Sequence, residues 1–170
     1  MNRFSVLRRF LLIAAVCSLA VGCGKPAPEG MPETVPFTVK VVDGSKGIAD
    51  VQVVMESTTA VGAVSGTTNS SGVAVMKTTY KNFTANGAPV GEYKVRCIKD
   101  PAAEHWKTQD EITAMDLGER QAYFDELQAK SEALPREVPA ILKDYDKCPC
   151  TTTVSDGGEY VVDVSQYKDE

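Results

Sequence analysis

The sequence predicts an all-β domain: a seven-stranded β-sandwich with one helical insertion, at about residues 108–147, between its fifth and sixth strands. Three observations predict it. Short segments alternate apolar and polar side chains with period two, the pattern of a half-buried strand. Clusters of Gly, Asn, Asp and Ser separate these segments at the spacing of a sandwich. One stretch breaks the alternation and carries two helix-start signals.

The chain has 170 residues, of which 43% are hydrophobic and 24% charged, with a net charge of −5. That length allows one domain with appendages. The acidic balance argues against nucleic acid as a partner, because phosphates require a basic face. The N-terminus reads as an address. Arg3, Arg8 and Arg9 precede an apolar run from Phe10 to Val21, about as long as a signal-peptide core and short for a membrane span. The run ends in Leu19-Ala20-Val21-Gly22-Cys23, which resembles a bacterial lipobox. Such a match implies that Cys23 is lipidated and becomes the first residue of the mature chain. It departs from the usual pattern in having Ala20 where a Leu commonly stands, three places before the Cys. Cys17 is a poorer site because bulky Val16 precedes it. The alternatives are a conventional signal peptide or an uncleaved anchor.

Gly24 to Thr34 is rich in Pro and Gly and has no apolar periodicity. It reads as a semi-rigid tether, with a reach of at most roughly 40 Å. The expected division is a signal peptide over 1–22, a lipidated Cys with its tether over 23–35, and a folded domain over 36–170. From Cys23 onward the chain has 148 residues and a net charge of −8. The expected location is extracytoplasmic, on the periplasmic face or the cell surface, with the lipid bilayer as a partner through the anchor. One acyl chain binds only marginally, whereas bacterial lipoproteins generally carry two or three.

Within the domain, Phe37-Thr38-Val39-Lys40-Val41 alternates and predicts the first strand. Asp43 to Gly47 is a turn. Val51 to Met55 is the second strand, with Val51, Val53 and Met55 on one face. Gly62 to Thr68 holds the third. Asn69-Ser70-Ser71-Gly72 is a turn, and Val73 to Thr79 is the fourth strand. A polar loop runs through Asn82, Asn86, Gly87 and Pro89. Glu92 to Ile98 is the fifth strand, with Tyr93, Val95 and Cys97 inward. Cys150 to Ser155 and Glu159 to Tyr167 are expected to form a hairpin about Asp156-Gly157-Gly158, with Tyr160, Val162 and Val164 on one face.

The insertion has its own logic. Thr108-Gln109-Asp110-Glu111 and Asp116-Leu117-Gly118-Glu119 have the capping-box form. Glu119 to Ala133 is a run of strong helix formers, with Tyr123, Leu127 and Leu134 on a stripe and Phe124 beside it. Pro135 and Pro139 stop it. The expected role is to cover a sheet edge or face; the alternative is a partner-binding flap.

Three segments together resemble the carboxypeptidase-regulatory-like domain, a transthyretin-like sandwich. They are Gly47-Ile48-Ala49-Asp50-Val51-Gln52-Val53, then Gly66 to Val75 with Thr68, Asn69 and Gly72 in the family's turn pattern, then Pro89-Val90-Gly91-Glu92-Tyr93-Lys94-Val95. The resemblance implies an Ig/transthyretin-like arrangement in which Gly47, Asn69, Gly72, Gly91 and Tyr93 are structural. Gly72 and Gly91 would allow backbone angles that a Cβ resists. Asn69 would cap its turn. Tyr93 would supply core area with a polar tip. The family implies no catalytic residues, and its members commonly serve as scaffolding, adhesion or binding modules.

Cys97, Cys148 and Cys150 would face an oxidising compartment. A disulfide from Cys97 to Cys148, or to Cys150, would close a loop of roughly 50 residues and stabilise by at most ~4 kcal/mol. The third thiol would be buried or pair between molecules, and a Cys148–Cys150 bond would be strained. With His105 the three make a nominal Cys₃His metal set; the expectation is nevertheless no metal and no cofactor. A Ser-His-Asp arrangement would have to use His105, and Ser65 lacks the Gly-x-Ser-x-Gly elbow. The expected function is thus non-enzymatic: a structural or interaction role at the cell envelope, with envelope proteins or glycans as partners. The alternatives are a glycan or small-molecule module using the loops Ser57 to Gly66 or Asn82 to Pro89, and a metal or redox protein using the three cysteines.

Overall fold

The computed structural model describes residues 27–167 apart from 58, 60 and 61. The signal-like run, Cys17 and the lipobox with Cys23 lie outside the described residues. Twelve strands and two α-helices occur among the described residues, so the all-β class holds.

The strands are β1 (Thr34–Val35), β2 (Phe37–Asp43), β3 (Lys46–Gly47), β4 (Gln52–Glu56), β5 (Ala63–Thr67), β6 (Val73–Val75), β7 (Lys77–Tyr80), β8 (Phe83–Asn86), β9 (Ala88–Pro89), β10 (Gly91–Ile98), β11 (Thr151–Val154) and β12 (Gly158–Asp163). Between β10 and β11 lie the helices α1 (Gln109–Ala114) and α2 (Leu117–Ala133). One sheet runs β11-β10-β4-β5-β7-β8, all antiparallel. In the other, β2 pairs in parallel with β12 on one side and antiparallel with β3 and β6 on the other. β1 and β9 form a two-stranded ribbon.

Alternation explains where the core sits. Phe37, Val39 and Val41 of β2 are buried, as are Val53 and Met55 of β4, Val64 of β5, and Tyr93, Val95 and Cys97 of β10. They join Val154 of β11 and Val162 of β12 in one cluster. A sheet with one wet face reads as this two-residue period. Thr68, 2% exposed, is one of two buried polar residues among those described, the other being Thr78. The Thr68 hydroxyl donates to the Ile48 carbonyl at 2.7 Å and accepts from the Val51 N–H at 2.8 Å. Thr68→Val keeps the shape and leaves both backbone groups unpaired. It is expected to destabilise the domain by about 1–3 kcal/mol, measured by urea unfolding; a change within error would remove this role from Thr68.

The predicted fourth strand is two strands. β6 pairs with β2, and β7 pairs with β5 in the other sheet. The chain changes sheets at Met76, whose N–H donates to the Phe37 carbonyl at 3.0 Å and whose carbonyl accepts from Gly87 N–H at 2.7 Å. Its side chain is fully buried. The expected hairpin at Asp156-Gly157-Gly158 is also corrected. β11 joins β10, whereas β12 joins β2, so this turn carries the chain between sheets, with Gly158 N–H on the Pro36 carbonyl at 3.1 Å. The expected polar loop through Asn82 to Pro89 is instead mostly β8 and β9. The partners of β6, β9, β11 and β12 are distant in sequence, which local alternation does not encode.

The turn residues behave unequally. Asn69 Oδ1 accepts from the N–H groups of Ser71 and Val73, at 2.9 and 3.1 Å. Gly72 has φ +78°, and a Cβ there would stand 2.4 Å from the Val41 oxygen. Gly47 packs against it, since a Cβ on Gly47 would lie 2.2 Å from the Ser71 oxygen. Gly91 has φ +157°, a conformation that L side chains rarely adopt, although a Cβ there would meet nothing closer than 3.7 Å. Tyr93 Oη donates to the Pro89 carbonyl at 2.9 Å.

Both capping boxes form, with Thr108 and Glu111 opening α1 and Asp116 and Glu119 opening α2. Each satisfies backbone N–H groups that a helix start leaves unpaired. The expected apolar stripe is barely used: Leu127 is the only buried residue of α2, while Leu117 and Phe124 are exposed. The segment after the helix covers the core instead, through Val138 and Leu142.

Candidate functional site

The three cysteines meet where β10 ends, β11 begins and β12 passes. The β10–β11 ladder runs through Lys94↔Thr151 and continues by one bond, from Val95 N–H to the Cys150 carbonyl at 2.9 Å. Pro149 has no N–H to carry it further. The Val95 carbonyl takes the Cys148 thiol instead, at 3.1 Å. Cys148 and Cys150 stand two residues apart in this nearly extended segment, and both are buried, at 3% and 1% exposure. Cys150 Sγ donates to Tyr167 Oη at 3.5 Å, and Tyr160 of β12 packs against the same core cluster. Cys97 completes the cluster from β10. No disulfide joins the three, and all are free thiols.

The surroundings separate the thiols chemically. At Cys150 the interaction with Cys148 is the largest influence and, with those of Tyr167 and Tyr160, lowers the pKa to about 7 against the opposing effect of burial. A thiolate gains from donors aimed at it. Cys148 is pushed the other way, first by its hydrogen bond to Cys150 and then by burial. Burial, reinforced by Cys148, holds the Cys97 thiol up at about 12. Tyr160 is raised to about 12 by burial and the neighbouring Cys150. Tyr167 is raised by its hydrogen bond to Cys150 and by burial. The surroundings therefore favour the thiolate form more at Cys150 than at Cys97 or Cys148.

A cavity of about 210 Å³ abuts Cys97 on the side of the insertion, with Lys99, Asp100, Arg136, Val138 and Lys143 also on its wall. The segment beyond is tied down by backbone acceptors: Arg96 donates to the Lys143 carbonyl at 3.1 Å, and Lys94 to the Tyr145 carbonyl at 2.6 Å. Arg96 also pairs with Glu56, and Lys99 with Glu137.

Other expectations fare differently. His105 is exposed and lies against α2, where Tyr123 Oη donates to its carbonyl at 3.4 Å. It does not join the cysteines. Among the described residues, no group of three or more His, Cys, Asp and Glu is placed to hold a metal ion. Ser65 sits in β5, paired with Val54 and Lys77. Of the two suggested ligand loops, one contains residues that are not described. In the other, Tyr80 and Phe83 face each other across the β7–β8 turn.

Tyr160 belonged to the predicted inward face and Tyr167 only to a predicted strand end. Neither was legible as a cysteine partner, because only the pairing of β12 with β2 carries them there. No family model matches the chain, and neither a curated protein nor a solved structure is significantly similar to it.

Proposed function

We propose that the chain is a lipid-anchored extracytoplasmic protein whose domain is a carboxypeptidase-regulatory-like, transthyretin-like sandwich with a helical insertion. Its role is structural or interactive at the cell envelope. The sandwich reading is supported by two sheets sharing one core, by strands that cross between them at Met76 and at Gly157, and by the Tyr93 contact. A tyrosine hydroxyl bonded to backbone a few residues upstream is a device of Greek-key sandwiches.

The observation that carries the interaction role is a polarity of the domain. The tether feeds β1, which pairs with β9 just before the start of β10. The helical segment leaves from the other end of β10, where Ser131 of α2 donates to Asp100 at 3.2 Å. Eight residues of strand separate those ends by roughly 25 Å. A domain anchored through Cys23 would thus present its insertion, with exposed Trp106, Leu117 and Phe124, away from the attachment point.

Cys23→Ser is expected to move the protein from the membrane fraction to the soluble fraction and to abolish incorporation of a palmitate analogue. Unchanged labelling and fractionation in that variant would overturn the anchor.

A further inference from the structure

We propose that the cavity at the end of β10 binds a small organic monoanion, a carboxylate on a short apolar body, with Arg136 and Lys143 holding the carboxylate. This binding goes beyond an envelope-interaction role and does not depend on it.

The cavity, about 210 Å³, lies between the last residues of β10, Ser131 of α2 and the segment after α2. Its wall runs from buried Cys97 and Val138 to exposed Arg136 and Lys143, so it opens to solvent. Three cations line it, Lys99, Arg136 and Lys143, against one carboxylate, Asp100. That balance runs against the net charge of −5 of the whole chain. Asp100 is already engaged. It accepts from the Ala102 N–H at 2.9 Å, from Trp106 Nε1 at 3.1 Å and from Ser131 Oγ at 3.2 Å. Burial opposes its ionisation, but these three donors and the nearby Lys143 hold its carboxyl below the usual range. Lys99 is paired with Glu137. The Arg136 guanidinium and the Lys143 ammonium differ: neither has a hydrogen-bonded or ion-paired partner among the described residues.

Both cations stand on fixed backbone. Arg136 lies two residues before Val138, and Lys143 follows Leu142; Val138 and Leu142 are both buried in the core. The Lys143 carbonyl also accepts from Arg96 at 3.1 Å. Less freedom is then lost when a ligand orders the two side chains. The planar fork of an arginine matches the two oxygens of a carboxylate, and a lysine adds a point charge. Ile98, Pro101, Val138 and Pro139 supply apolar wall for the rest of the ligand. The same wall disfavours phosphate. Pro101 and Pro139 have no N–H to offer its oxygens. Ser131 stands in the last turn of α2, where the helix dipole opposes a second negative charge. A cavity of about 150 Å³ takes a benzene ring, so this larger one has room for a ring and its carboxylate.

The test titrates the full-length chain with benzoate and follows its amide shifts, with benzamide and inorganic phosphate as comparison probes. Benzoate is expected to give saturable shifts over residues 97–101 and 136–143 and to bind more weakly as salt is raised. Phosphate, and benzamide with no charge, should bind more weakly than benzoate. Arg136→Ala and Lys143→Ala are each expected to weaken benzoate binding about tenfold. Arg136→Lys should recover part of the loss, and Lys81→Ala, in the turn between β7 and β8, should change nothing. Arg136 and Lys143 are exposed, and a retained amide spectrum shows that a variant is folded. Benzamide or phosphate binding as tightly as benzoate, affinity unmoved in both alanine variants, or no saturation in the millimolar range would overturn the proposal. The comparison of probes on the wild-type chain decides the matter even if a variant fails to fold.

Discussion

Gly72→Ala is expected to lower the stability of the domain by about 3–5 kcal/mol, read as a fall in the urea midpoint at unchanged slope. Two penalties combine at this position. Its φ of +78° is one that L side chains rarely adopt, and the new methyl would stand 2.4 Å from the Val41 oxygen and 2.7 Å from Gly47 Cα. Neither neighbour can yield easily. The Val41 N–H donates to the Gly72 carbonyl at 2.8 Å, and Ile48 N–H donates to the Val41 carbonyl at 3.0 Å. Gly44 is the control, with φ +58° and nothing within 4 Å of a built Cβ. Gly44→Ala should cost only the left-handed strain, about 1–2 kcal/mol. Equal losses in the two variants would show that the approach of β3 to the Asn69–Gly72 turn is not tight.

Leu142→Ala is expected to cost about 3 kcal/mol, within the range for emptying a buried leucine site. Leu142 is fully buried and belongs to the central cluster with Val138, Cys97 and Val95. Leu127, though buried on α2, lies outside that cluster. Leu127→Ala should therefore loosen the helix, seen as faster amide exchange over Leu117–Ala133, with a smaller loss of global stability. The comparison tests which part of the segment between β10 and β11 serves the core. If Leu127→Ala proved the more costly, the helix and not the segment after it would be the cover.

The strands were legible where one face is buried, because burial imposes the two-residue period on β2, β4 and β10. The helix starts were legible because a capping box is a local device, complete within four residues. The apolar stripe of α2 misled for the same reason. Tyr123, Leu127 and Leu134 satisfy helical spacing, but spacing alone cannot say whether a sheet lies opposite, and only Leu127 is buried. At the site, Cys97, Cys148 and Cys150 were visible as residue types with open pairings. Their unequal acidity depends on burial, on one another and on Tyr160 and Tyr167, which distant strand pairing brings to them.

The sequence by itself determined the all-β class, the inward faces of the main strands and the two capping boxes. All of these are carried by side chains within a few residues of one another. Tertiary structure alone decided the rest: the change of sheet at Met76, the parallel pairing of β12 with β2, the cover supplied by Leu142 and the meeting of three thiols with two phenols. The physical reason is that backbone pairing between distant strands is set by the packing of the whole core. A thiol's acidity in turn depends on the donors that this packing brings within reach.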